Sequence, residues 1–381
     1  MHLTLHVTSR CNLRCDYCYD ARHQGGDMTP ETMRAAVAFA CEQTRGTGHE
    51  DSIGVSFYGG EPLLVKDLIA ETVRHCRSVT DRAGQLFHFK ITTNGILLDE
   101  DFLTGPDTRN ILVALSHDGT QKAHDTHRVD PAGNGTFQHL DHVTKILLRE
   151  KRYSPVMLTV TPATVDDYAA SVRYLFNRGF RYIICTLDFS ANWTPLNLRA
   201  LKHQYRRLAT WYEKEMDKES KFYFSPFDTK ISSHINPGSC RHGRCDFGRR
   251  QISVAPNGRL YPCVQFVGDG EDDTYCVGDV RRGLDTDKHA ALYAENHAAK
   301  PACADCAARD RCNHFCGCLN WQVTGSLGAV APVVCAHERT VLPITDKLAE
   351  RLFRHRNSLF IQKHYNDDYP FLSLLEDSLQ E

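Results

Sequence analysis

The chain has 381 residues, 41% hydrophobic and 24% charged, the ordinary balance of a globular protein. Lys and Arg number 45 against 47 Asp and Glu, a net charge of −2, which points away from nucleic acid and anionic membrane as partners. No stretch approaches the ~20 apolar residues of a membrane span, and Met1-His2-Leu3-Thr4 opens no signal peptide, so a cytoplasmic protein of about two domains is expected.

Cysteine is the unusual component. There are 16, and in a reducing compartment they read as metal ligands before disulfides. Three lie in residues 11–18 and ten between Cys240 and Cys335. Cys41, Cys76 and Cys185 read as small buried hydrophobes.

In chain order, Leu3–Thr8 alternates and is rich in β-branched residues, so it reads as a first strand. Cys11, Cys15 and Cys18, spaced C-x3-C-x2-C, follow on a loop. Three thiolates on one short loop can hold three irons of a 4Fe-4S cluster and leave the fourth without a protein ligand. A zinc loop is the alternative. It would need a fourth ligand nearby, for which His23 is the candidate.

Thr29 caps a helix that starts at Pro30 and runs to about Gln43. Ser52–Tyr58 is a second strand, ending at Gly59-Gly60-Glu61-Pro62, and a helix follows to about Arg77. Leu86–Thr93 is a third strand, ending at Asn94-Gly95. Ile111–Ser116 is a fourth, ending at His117-Asp118-Gly119. Residues 135–149 are helical, Val156–Thr161 is a fifth strand, and helix Val165–Arg178 leads to a sixth strand, Tyr182–Leu187. Strand and helix alternate six times, which predicts an α/β fold: a partial (β/α)6 TIM-like barrel. The unusual motifs all fall at strand C-termini, where such a barrel builds its site. Gly59 and Gly60 allow close backbone approach. Glu61 offers a carboxylate to an ammonium group, and Ser116 a hydroxyl. Arg128 can clamp a carboxylate, and Asp118 is the candidate catalytic residue, a substrate-side base or an orienting carboxylate. His124 and His127 read as supporting groups.

Residues 198–218 read as a helix, and 226–239 as an irregular link. From Cys240 the composition changes. Pro256-Asn257-Gly258 is a hairpin turn between strands 250–255 and 259–263. Cys303, Cys306, Cys312 and Cys316 form a dense array, for which a zinc ribbon is an alternative. A helix is expected over 344–354, packed against the barrel. The expected divisions are 1–225, 226–239, 240–335 and 336–381.

Cys11, Cys15, Tyr17 and Cys18 make the motif C-x3-C-x-aromatic-C, and with the strand-end residues they resemble the radical S-adenosylmethionine (SAM) enzymes over about residues 1–225. The resemblance implies a cluster whose open iron chelates SAM, with Gly59, Gly60 and Glu61 at the methionine amino group. Ser116 and Arg128 fall at ribose or carboxylate positions, and Tyr17 beside the adenine. It implies reductive cleavage of SAM to a 5′-deoxyadenosyl radical. Cys245 with Gly258 and Cys263, then Cys303, Cys306, Cys312, Cys316 and Cys335, resemble the SPASM extension over about 240–335. That implies two auxiliary 4Fe-4S clusters, three clusters in all. One would sit on Cys245, Cys263 and Cys316 with Cys240 as fourth ligand. The other would sit on Cys303, Cys306, Cys312 and Cys335. Cys276 and Cys318 are unassigned and read as structural.

SPASM enzymes mostly modify peptides or proteins, so the expected function is a peptide maturase, forming a crosslink or related change. The expected partners are a peptide or protein substrate and an electron donor such as flavodoxin or ferredoxin. The chain begins at the first barrel strand, so leader recognition is expected to need a separate protein, or the barrel and tail themselves. In sulfatase maturases an Asp follows the cysteine after G-x4. Here that residue is Val264, which argues against formylglycine formation. Radical modification of a small molecule and a zinc-stapled, non-catalytic binding protein are the other readings.

Overall fold

The structure is a computed structural model that describes residues 1–19, 25–44, 52–237, 245–268 and 274–379. Cys240 and His23 lie outside the described residues.

Six parallel strands run in chain order: β1 (His2–Thr8), β2 (Ser52–Gly59), β3 (Leu86–Thr93), β4 (Leu112–Ser116), β5 (Pro155–Val160) and β6 (Tyr182–Leu187). Helices α1 (Pro30–Thr44), α2 (Lys66–Ala83), α3 (Glu100–Thr104), α4 (Gln121–His127), α5 (Phe137–Glu150) and α6 (Tyr168–Asn177) connect them. Leu3, Leu5 and Val7 of β1 and Ile53, Val55 and Phe57 of β2 are almost fully buried, the side-chain period of two expected of strands covered by helices. The Thr29 hydroxyl accepts from the Thr32 amide at 3.2 Å, the cap expected at the start of α1.

Two expectations change after β6. Helix α7 (Pro195–Asp217) leads into a two-residue strand, β7 (Tyr223–Phe224), which pairs in parallel with β6. The stretch expected as an irregular link is helical as α8 (Ser225–Ile235). Pro226 suits a helix start, and Asp228 turns back to accept from the Phe224 amide at 2.6 Å.

The hairpin forms as β8 (Gln251–Val254) and β9 (Arg259–Tyr261), around Gly258 at φ 93°. β8 lies parallel to β1, and β10 (Gly278–Asp279) and β11 (Gly283–Leu284) follow. The result is one mixed sheet in the order β11-β10-β9-β8-β1-β2-β3-β4-β5-β6-β7. The hairpin thereby covers the β1 edge, which would otherwise present unpaired backbone groups.

Helices α9 (Thr286–His297) and α10 (Gly317–Thr324) come next. The helix expected over 344–354 is the second half of α11 (Pro332–Arg354), which also carries Cys335. It docks on the barrel through Arg351 to Glu213 at 2.7 Å on α7 and Lys230 to Glu338 at 2.9 Å on α8. Helices α12 (Ser358–Tyr365) and α13 (Tyr369–Leu379) end the chain. No helix among the described residues is long and apolar enough to cross a membrane.

Candidate functional site

Cys11, Cys15 and Cys18 line one cavity of ≈ 310 Å³ at the strand ends. Its wall continues through Gly59, Gly60 and Glu61 after β2, Thr93 and Asn94 of the β3 end, Ser116 of β4 and Arg128 after α4. The far side is Asp188, Phe189 and Ser190 after β6, joined by Gln265, Leu319 and Gln322 from the cysteine-rich part.

The glycines explain how the cysteine loop is held. A Cβ on Gly59 (φ +134°) would stand 2.1 Å from the Thr8 carbonyl, and one on Gly60 2.2 Å from that of Arg10. With no side chain there, the Gly60 amide donates to Thr8 O at 3.0 Å and the Glu61 amide to Arg10 O at 2.8 Å. The end of β2 thus zips onto the loop leaving β1. The other side of the loop is pinned by the Arg14 amide, which donates to Val129 O at 2.9 Å.

Glu61 is 1% exposed. Its carboxylate accepts from the Leu63 amide at 3.0 Å, the Thr93 hydroxyl at 2.7 Å and the Asn94 amide at 2.7 Å. Burial raises its pKa against those bonds. A carboxylate so engaged braces the β2 and β3 ends while lining the cavity.

Asp118 stands behind the cavity lining at 2% exposure. One oxygen accepts from Tyr17 Oη at 2.6 Å and Arg128 Nε at 2.9 Å, and the other from the Thr159 amide at 3.0 Å. Burial works against the Arg128 charge, but Asp118, Tyr17 and Cys15 together raise its pKa. The Arg128 guanidinium lies 5.5 Å from the Tyr17 ring centre. The expectation of Asp118 as a substrate-side base does not fit this geometry, because its oxygens are spent on two cavity residues and a strand amide. His127 bridges Asp16 at 2.6 Å and Thr161 at 2.7 Å, which fits its supporting role.

Asn94 is a site residue that its place beside Gly95 did not single out. Its Nδ2 donates to Asn12 Oδ1 at 2.8 Å and approaches Cys11 Sγ at 3.9 Å. Tyr58, Asp188, Gln265 and Gln322 also line the cavity without a sequence signal. Burial pushes the Cys11 thiol up to about 12 and raises Cys15. Metal ligation favours the thiolate and works the other way.

In the cysteine-rich part, burial pushes the Cys245 thiol up to about 11, and Cys263 and Cys316 add to it. Burial raises Cys303, and the neighbouring Cys335 and Cys306 add to it. Cys312 is pushed to about 12 by burial, then by Glu338. The Cys276 thiol donates to Gly278 O at 3.3 Å.

Residues 5–187 match the Radical SAM superfamily. The strand order, the three-cysteine loop and that match make this part of the chain a radical SAM domain, and the family implies a 4Fe-4S cluster and SAM. The chain is similar to the cysteine-type anaerobic sulfatase-maturating enzyme of Clostridium novyi, 27% identical over 280 residues, 69% of this chain and 73% of that protein. Its fold is similar to anSMEcpe with bound AdoMet (TM-score 0.79, 18% identity, 95% of this chain and 98% of that one). It is also similar to Streptococcus suis SuiB bound to precursor peptide SuiA (TM-score 0.57, 14% identity, 88% and 75%).

Proposed function

We propose that this chain is a radical SAM oxidoreductase that modifies a peptide, and that it carries two auxiliary 4Fe-4S clusters beside the first. The observation that carries this reading is the single cavity in which the Cys11 loop, the β2 to β6 ends and residues of the cysteine-rich part meet. The donor set fits: three thiols share the cavity, and the Gly59-Gly60 contact holds their loop in place. Cys11, Cys15 and Cys18 would hold the first cluster, leaving one iron for SAM. Cys245, Cys263 and Cys316, with Cys240 as the family pattern suggests, would hold the second, and Cys303, Cys306, Cys312 and Cys335 the third.

A cluster held by Cys11, Cys15 and Cys18 would, with one external electron, supply the reductive cleavage of SAM that enables hydrogen-atom abstraction from the substrate. The chain's own residues bind and orient. Gly59 and Gly60 offer backbone groups to the methionine part of SAM, and Ser116 a hydroxyl. Arg128 offers a fixed positive charge, and Tyr17 a ring face. Asp118 positions both Arg128 and Tyr17. Asp188, Gln265 and Gln322 form the polar wall toward the substrate.

A peptide substrate is supported by the relatives, which include sulfatase-maturating enzymes and a protein solved with its precursor peptide. Val264 after Cys263 favours a crosslink or related oxidation over formylglycine formation. An external donor such as flavodoxin or ferredoxin supplies the electron. After anaerobic reconstitution, on the order of twelve irons per chain are expected, four per cluster, with 5′-deoxyadenosine formed from SAM and dithionite. A colourless protein with stoichiometric zinc would overturn the reading. A peptide encoded beside the gene should lose two hydrogens on co-expression. Conversion of a sulfatase peptide instead would favour the maturase alternative.

A further inference from the structure

A second cavity, of ≈ 610 Å³, lies at the starts of β1 to β4, the end of the barrel away from the cysteine loop. It shares no lining residue with the first. Strand register builds it. His2, Gly54 and His88 stand side by side on β1, β2 and β3, and Ser56, Lys90 and Leu112 make the next row across β2, β3 and β4. Gly54 leaves room for the His2 ring, since a Cβ there would lie 2.6 Å from His2 Nδ1. Phe87 and Phe89 add two nearly parallel rings, 6.4 Å apart.

The lining is one-sided in charge: it holds Lys90, Arg77 and, at the exposed mouth, His2 and His88, but no carboxylate. Arg77 is already engaged, by Asp107 at 2.9 Å and the Pro106 carbonyl at 3.0 Å. Lys90 is half-buried, and among the described residues no group accepts from its ammonium. Other lysines drawn into the fold have acceptors: Lys230 has Glu338 at 2.9 Å, and Lys300 the Asn296 carbonyl at 2.8 Å. Burial lowers the Lys90 pKa, and no neighbouring carboxylate opposes it. An ammonium withdrawn from water without an acceptor costs free energy, and an anion beside it removes that cost.

We propose that this cavity binds a phosphorylated small molecule, its phosphate on the Lys90 ammonium and the Ser56 hydroxyl and its apolar part against Phe87 and Phe89. A phosphate oxygen accepts from both a lysine and a hydroxyl, and register sets Ser56 directly beside Lys90. The volume is about twice that of the first cavity, room for more than the phosphate alone. The proposal is independent of the cluster assignments, because none of the cysteines lines this cavity.

The test is isothermal titration calorimetry of the full chain with phenyl phosphate, inorganic phosphate and phenol. Phenyl phosphate should bind saturably at one site per chain, inorganic phosphate more weakly, and phenol not measurably. Lys90→Met should weaken phenyl phosphate about tenfold or more, the loss of one hydrogen bond between charged groups, and Lys90→Arg should keep most of the affinity. Urea unfolding without phosphate separates a lost site from a lost fold. Lys90→Met removes a charge that has no partner, so its midpoint should equal or exceed that of wild type. Absence of saturable phenyl phosphate binding by wild type, equal binding by Lys90→Met, or phenol binding as tightly as phenyl phosphate would each overturn the proposal. A lowered Lys90→Met midpoint would overturn it too, by showing that the chain itself already satisfies the ammonium.

Discussion

Arg128 donates its Nε to Asp118 at 2.9 Å, and the two residues are 7% and 2% exposed. This buried pair carries the Tyr17 hydroxyl on the same carboxylate oxygen. It ties the cysteine loop, the β4 end and the turn after α4 into one unit. Breaking one side of a buried pair strands the other charge and costs about 3–5 kcal/mol. Asp118→Asn should therefore lower the denaturation midpoint and weaken SAM binding at least tenfold by equilibrium dialysis. Intact SAM affinity with lost peptide turnover would return Asp118 to the role of base.

Gly60→Ala tests how the loop is held. The added Cβ would meet Arg10 O at 2.2 Å, a backbone atom that cannot swing aside. The expected outcome is loss of the first cluster, about four irons, with the secondary structure retained by circular dichroism. Gly26→Ala, with open space around it, should leave the iron count unchanged.

The Lys230 to Glu338 pair is the counterpart in the cysteine-rich half. Their side chains are 8% and 1% exposed, and Glu338 also accepts from the Asn313 amide at 3.3 Å, next to Cys312. Lys230→Met should destabilise the chain by about 3 kcal/mol or more in urea unfolding, and lower iron retention at the Cys312 and Cys335 site. Pairing it with Glu338→Leu removes the stranded carboxylate and should restore much of the stability.

Acid should destabilise the protein before its carboxylates titrate. Burial lowers His6 and His117 to about 3 and His124 to about 2, from an ordinary 6.5. Below pH 6.5 the unfolded chain takes up protons there that the folded chain refuses, so stability rises with pH in this window. It should be fully present above about 6.5 and fall progressively toward pH 3. Urea unfolding at pH 7.5, 6.0 and 5.0 measures this. A midpoint unchanged between 7.5 and 5.0 would mean these histidines ionise without unfolding.

The parallel strands and the cysteine loop were legible in the chain because both are local. A strand shows in its alternation, and three thiolates within eight residues need no distant partner to be recognised. Leu86–Thr93 and Tyr182–Leu187 fall where their side-chain pattern places them. Helix α8 was hidden because Pro226 and Asp228 act as helix starters only once Phe224 has paired with β6. The joining of β8 to β1, and the closing of one cavity by Gln265 and Gln322, depend on pairings across more than 200 residues, which no local pattern encodes. The charges at the site divide the same way. Sequence alone determined that Glu61 and Asp118 stand at strand ends and that Arg128 follows ten residues after Asp118. Tertiary structure decided which of them are engaged, because a buried charge must find a partner and the partner is set by the fold. Arg128 found Asp118, and Glu61 found the amides of Leu63 and Asn94.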